Sequence, residues 1–114
     1  MRLTLNLPPS INSLYSQNRQ GRRFKTNEAK AWETESSFKL MKHRKFGKDK
    51  VEVFIIYYFK NNRSDLGNRS KILIDLLEKM RIINNDNQVW ALHEYKNIDK
   101  KRLGVVLDIW EYSE

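Results

Sequence analysis

Three side chains carry the chemistry open to this chain: Asp65, Lys71 and, beyond an intervening apolar helix, Asp86. They belong to one tract, Arg63-Ser-Asp-Leu-Gly-Asn-Arg-Ser-Lys71, followed by an apolar helix over residues 72–83 and then Asn84-Asn-Asp-Asn-Gln-Val89. If the chain folds back after that helix, two carboxylates and an ammonium meet in one shallow site. Such a set suits a hard cation and a phosphate, because Mg²⁺ takes oxygen ligands from one or two carboxylates and leaves its other positions to water and substrate phosphate. Lys71 would supply the compensating positive charge. Each residue also has a plainer duty. Asp65 would favour a helix start, Lys71 and Asp75 are spaced for an exposed helical ion pair, and Asp86 is a common turn residue.

The elements that must position these groups follow from periodicity. In the helix, Ile72, Leu73, Leu76, Leu77, Met80 and Ile83 fall on one stripe, with Lys71, Asp75 and Glu78 on the other side. Before it, residues 51–59 are apolar or aromatic on both faces of a period-2 pattern, which predicts a central strand covered on both sides. After it, the polar cluster 84–87 stops the helix. Residues 89–96 then read as a strand with Val89, Ala91, His93 and Tyr95 facing away from Trp90, Leu92, Glu94 and Lys96. The basic loop Lys100-Lys-Arg102 leads through Gly104 into a last strand over residues 105–112.

The N-terminal half begins with alternation over residues 2–7, which puts Leu3, Leu5 and Leu7 on one face of a strand that Pro8-Pro9 ends. Residues 16–25 read as an extended loop turning at Gly21, where Arg19, Arg22, Arg23 and Lys25 suit a phosphate-tracking arm or a solvated loop. Thr26 is the expected N-cap of a helix running to about Lys42. Its apolar positions, Ala31, Trp32, Phe38 and Met41, are sparse, so it belongs on a surface or at a subunit contact. Residues 42–50 form a second basic loop containing Lys42, Arg44 and Lys45, and His43 has no partner spaced for metal binding. The order β, loop, α, β, α, β, β predicts an α/β (α+β) fold, a mixed sheet of about four strands packed by two main helices.

At 114 residues the expectation is one domain, residues 1–114, as a homodimer or a monomer. A formal charge of +8 favours a polyanionic partner, nucleic acid first. No cysteine occurs, which excludes disulfides and thiolate zinc sites and is consistent with a reducing cytoplasm. The longest apolar run is far too short to span a bilayer, so no membrane role is expected.

Order and spacing together resemble a family, the RusA-type Holliday junction resolvases of bacteria and their prophages. The resemblance covers most of the chain. Its residues are Leu7-Pro-Pro9-Ser10-Ile-Asn12 with Tyr15, then Asp65-Leu-Gly-Asn68 and Lys71, Asp75 in the helix, Asp86 with Gln88-Val89, and Lys96. It implies a homodimeric Mg²⁺-dependent endodeoxyribonuclease, Mn²⁺ being an alternative ion, that cuts four-way DNA junctions in recombination and repair. By it, Asp65 and Asp86 correspond to metal-binding aspartates and Lys71 to the essential lysine. Arg19, Arg22, Arg23, Lys25, Lys42, Arg44, Lys45, Arg63 and Arg69 would hold DNA arms through phosphates. Gly67 stands where the family has another aspartate, and Asp75 is the nearest substitute carboxylate. The alternative is a junction-binding or regulatory module that kept the fold and lost the chemistry.

Overall fold

The computed structural model describes residues 2–9, 15–17, 19–62 and 69–113. Expectations that fall on Ser10, Asn12, Arg63, Asp65, Gly67 and Asn68 lie outside them. The element order is β1 (Arg2–Leu5), β2 (Tyr15–Gln17), β3 (Arg23–Lys25), α1 (Asn27–Leu40), β4 (Val51–Phe59), α2 (Arg69–Lys79), a 3-10 turn (Asp86–Gln88), β5 (Val89–Ile98) and β6 (Gly104–Glu111). The main sheet runs β1-β6-β4-β5, with β4 parallel to β5 and the other two pairings antiparallel. It is therefore the mixed four-stranded sheet with two helices that the pattern predicts.

β4 is central, as its run of apolar residues requires, but its two faces differ. Val51, Val53, Ile55, Tyr57 and Phe59 are buried, whereas Glu52, Phe54, Ile56 and Tyr58 are only half-buried. The helices cover the first face, and among the described residues no element covers the second. The covered face meets Leu73, Leu76 and Leu77 of α2 and Leu107 and Ile109 of β6 in one core. Complete burial of a leucine is worth about 1.5–3 kcal/mol, so this layer fixes where α2 lies.

α1 begins where expected, with the Thr26 hydroxyl accepting from the Ala29 N–H at 3.2 Å. Its buried stripe is Ala29, Trp32, Ser36 and Leu40, while Ala31, Phe38 and Met41 face solvent. Of the sparse apolar positions only Trp32 points inward, and Ser36, a polar residue, takes another inward place. The Trp32 indole N–H donates to the Asn6 carbonyl at 2.8 Å and ties α1 to the end of β1.

Residues 16–25, expected as a loop, contain the β2 and β3 ladder, with Ser16 opposite Phe24. Gly21 turns that hairpin at φ 78°, a conformation open to glycine. α2 starts earlier and stops earlier than its apolar stripe suggests. It ends in a Schellman arrangement: the Arg81 N–H donates to the Glu78 carbonyl at 3.0 Å and the Ile82 N–H to the Leu77 carbonyl at 2.9 Å. Arg81 takes the left-handed position at φ 61°. Ile82 and Ile83 lie beyond the helix and are still buried, which is why the stripe seemed longer than the helix.

Candidate active site

The connection from β4 through α2 to parallel β5 sets α2 on the covered face of the sheet, with one side turned toward the start of β5. Ser70, Lys71, Ile74 and Asp75 of α2, Asp86 of the 3-10 turn, and Val89 and Leu92 of β5 line one open depression. Lys71, Asp75 and Asp86 are all solvent-exposed, and Ile74, Val89 and Leu92 form the apolar floor. Two of the three residues singled out in the sequence, Lys71 and Asp86, thus share this depression with the substitute Asp75. Asp65 lies outside the described residues.

Asp86 does sit in a turn, the 3-10 turn over residues 86–88, but its side chain does not hold that turn. Among the described residues Lys71 and Asp75, both exposed, form no ion pair, and the side chain that closes the turn at Asn87 is Asn85, not Asp86. Asp86 is held by its backbone, whose N–H donates to Glu78 Oε1 at 3.2 Å. Its carboxylate takes no hydrogen bond or ion pair from the described residues.

Alternation along β5 is interrupted. The pairing with β4 shifts between Val51 and Glu52, so Val89 pairs with Val51 while Ala91 pairs with Glu52. Val89 therefore packs toward the core, on the side of Leu92, Glu94 and Lys96, and not with Ala91, His93 and Tyr95 as strict alternation predicts. A bulge of this kind re-aims side chains at a strand start. Farther along that side, Glu94 Oε1 accepts from the buried Tyr57 hydroxyl at 2.9 Å. Burial, then this carboxylate, push the Tyr57 phenol pKa far up, while Arg69 opposes them. Neither Tyr57 nor Glu94 was singled out in the sequence, where a glutamate in a strand carries no distinguishing signal.

The expected DNA contacts differ in exposure and in the partners that hold them. Arg69 donates to the Pro8 carbonyl and lies over the Phe59 ring at 5.2 Å. Pro9 is buried beside that anchor in sequence. Lys96 approaches the same Phe59 ring at 5.8 Å and the Asn62 carbonyl at 3.5 Å. Arg44 pairs with Glu111 and lies 4.6 Å over Phe46. Lys25 pairs with Glu33 at 2.6 Å, and Lys79 reaches the same carboxylate. Arg19, Arg22, Arg23, Lys42 and Lys45 are exposed. The 42–50 loop is not simply solvated, because His43 and Phe46 are buried in it.

The open face of the sheet is a second distinct surface. Phe54 and His93 stack there at 4.4 Å, Glu52 reaches the His93 ring at 2.7 Å, and Tyr95 and Trp110 are each more than half exposed. Arg2, Phe54, Ile56, Tyr95, Val106, Asp108 and Trp110 line a hollow on it. No helix among the described residues is long and apolar enough to cross a membrane.

Residues 6–109 match the family profile described as endodeoxyribonuclease RusA. The crossover junction endodeoxyribonuclease RusA of Aquifex aeolicus (strain VF5) is 31% identical over 108 residues, covering 90% of this chain and 84% of that protein.

Proposed function

Because the chain belongs to the RusA endodeoxyribonuclease family, we propose that it is a Holliday junction resolvase, hydrolysing phosphodiester bonds at four-way DNA junctions with Mg²⁺, or Mn²⁺ in its place, as a homodimer. The observation that carries the site reading is the depression shared by Lys71, Asp75 and Asp86. Its donor set is oxygen-only, since the chain has no cysteine and the described histidines lie elsewhere, one buried in the 42–50 loop and one on the open sheet face. Oxygen donors fit a hard divalent cation.

In this reading Asp86 holds the cation together with Asp65, which the family correspondence supplies, and Asp75 stands one helical turn from Lys71 as the substitute for the acid missing at Gly67. The cation, when bound, offsets phosphate charge and makes water a competent nucleophile near neutral pH. Lys71 presents its ammonium to the phosphoryl oxygens, where negative charge grows during attack. Ile74, Val89 and Leu92 make the floor apolar, so the polar groups that meet the phosphate are those on its rim. The exposed cations of the β2–β3 hairpin and the 42–50 loop track the DNA arms, their binding weakening steeply with salt.

The deciding experiment incubates the protein with a four-way junction and a linear duplex of equal length in Mg²⁺, Mn²⁺ or EDTA, scoring binding and cutting separately. Junction-selective cutting that needs a divalent ion is expected, with Asp86→Asn inactive and still bound to the junction. Gly67→Asp should raise cutting if the missing acid limits it. Should Asp75→Asn instead abolish cutting while Gly67→Asp changes little, Asp75 is the working substitute. Junction binding with no cutting by the natural protein or Gly67→Asp in either metal would replace the enzyme by the binding module.

A further inference from the structure

Resting on the reading of Asp86 as a cation ligand, we infer that Gln88 is the positioning residue that mounts Asp86. Gln88 is 7% exposed, and its amide is used completely. Oε1 accepts from the N–H groups of Asn84 and Asn85 at 2.6 and 2.7 Å, and Nε2 donates to the carbonyls of Gly47 and Asp49 at 2.7 and 2.9 Å. A primary amide offers two donor hydrogens and two acceptor lone pairs, so this side chain has nothing left to give. It bolts the turn that carries Asp86 to a second turn more than thirty residues away in sequence.

That second turn is itself fixed. The Phe46 N–H donates to the Ile82 carbonyl at 2.8 Å, and the Phe46 ring is buried in the core. The rest of the Asp86 turn is satisfied locally. The Asn87 N–H donates to Asn85 Oδ1 at 3.0 Å, the Gln88 N–H to the Asn85 carbonyl at 3.1 Å, and the Asp86 N–H to Glu78. The backbone N–H groups of residues 84–88 are thus occupied while the Asp86 carboxylate remains available at the groove. A ligand mount needs this combination of a fixed main chain and an open carboxylate, since outer partners set how well the inner ligand is aimed.

Gln88→Glu is the informative variant. Its carboxylate can still accept from Asn84 and Asn85, but it turns lone pairs toward the Gly47 and Asp49 carbonyls, so the cap survives and the bolt is lost. Gln88→Leu removes both. Mn²⁺ binding to the free protein, followed by the Mn²⁺ paramagnetic resonance signal, and single-turnover cleavage of a four-way junction should each fall about 10–100-fold in Gln88→Glu, while junction affinity in EDTA holds. Unchanged junction affinity in EDTA and a cooperative melt beside those two losses confine the effect to the cation site, a pattern that general damage to the fold would not produce.

Wild-type Mn²⁺ binding and cleavage in Gln88→Glu would overturn the inference. So would an equal loss of junction affinity in EDTA, or a Gln88→Glu protein without a cooperative melt, since the amide would then be holding the core and not Asp86. If Asp86→Asn alone binds Mn²⁺ and cuts like the natural protein, the site reading has failed first, and that result is distinct from a failure at Gln88.

Discussion

Replacing the Lys71 ammonium with an apolar chain of similar length separates two roles that a basic protein otherwise confounds. Lys71 sits exposed at the groove without an ion pair among the described residues, so Lys71→Met leaves no buried carboxylate stranded and should barely alter stability. One cation out of twenty-two also contributes little to overall attraction for DNA. If the ammonium meets charge that develops only during the reaction, cleavage should fall by about 10²–10³-fold while junction affinity in EDTA is nearly kept. Single-turnover rates beside binding isotherms make the test, and parallel losses in both would assign Lys71 to phosphate binding alone. Its placement with Asp86 was legible from the sequence because an apolar stripe flanked by polar residues predicts a chain reversal. The mount beneath Asp86 was not, because nothing local to Gln88 signals that its partners are the carbonyls of Gly47 and Asp49.

At the scale of elements, the ends of α2 and the docking of the β2–β3 hairpin carry testable energetics. Arg81 occupies the left-handed position that closes α2, where a side chain costs on the order of 1 kcal/mol and glycine costs little. Arg81→Gly should therefore raise the urea midpoint by the equivalent of about 1 kcal/mol less the glycine's extra unfolded-state entropy. A lowered midpoint would mean the arginine earns its place through a contact. Glu33 joins three elements by taking Lys25 from β3 and Lys79 from α2 onto α1. Burial raises its pKa, but the two lysines together outweigh burial and hold the carboxyl below its ordinary value. A depressed folded pKa stabilises at pH above the unfolded value, and that stabilisation is lost as pH falls through the folded one. The stability gap between the natural protein and Glu33→Gln should then be largest near about pH 7 and close toward about pH 3, as read by urea denaturation across that range. A gap independent of pH would remove the ion pairs from the account. Helices and main strands were legible because each buries one periodic face. The inward stripe of α1 was not, since Ser36 is buried and Phe38 is exposed, and hydrophobicity alone assigns them the other way round.

For the molecule as a whole, the unequal faces of the sheet decide how two copies could meet. One face is sealed by the helices, whereas the other exposes Trp110 and Tyr95 with half-buried Phe54, Ile56 and Tyr58, an apolar expanse that single soluble domains seldom leave uncovered. It carries charges of both signs. Arg2 lies by Asp108 at 3.9 Å, Glu52 by His93, and Arg102 over Tyr58 at 4.5 Å, so two copies of a chain with net charge +8 can approach here without bringing their cationic loops together. This mixture of charges therefore favours a second copy as the occupant over a polyanion. Such packing around a two-fold axis buries like against like and leaves the depression between α2 and β5 uncovered on each copy, as cutting two strands of one junction requires. Trp110→Glu places a charge on this face at a residue already 53% exposed, so the isolated fold should tolerate it. Sedimentation velocity should show the natural protein at twice its chain mass and Trp110→Glu at 13.7 kDa, and the variant should nick junctions on one strand in place of paired cuts. A natural protein that sediments as a monomer, or a Trp110→Glu variant that still dimerises, would show that the open face serves another purpose.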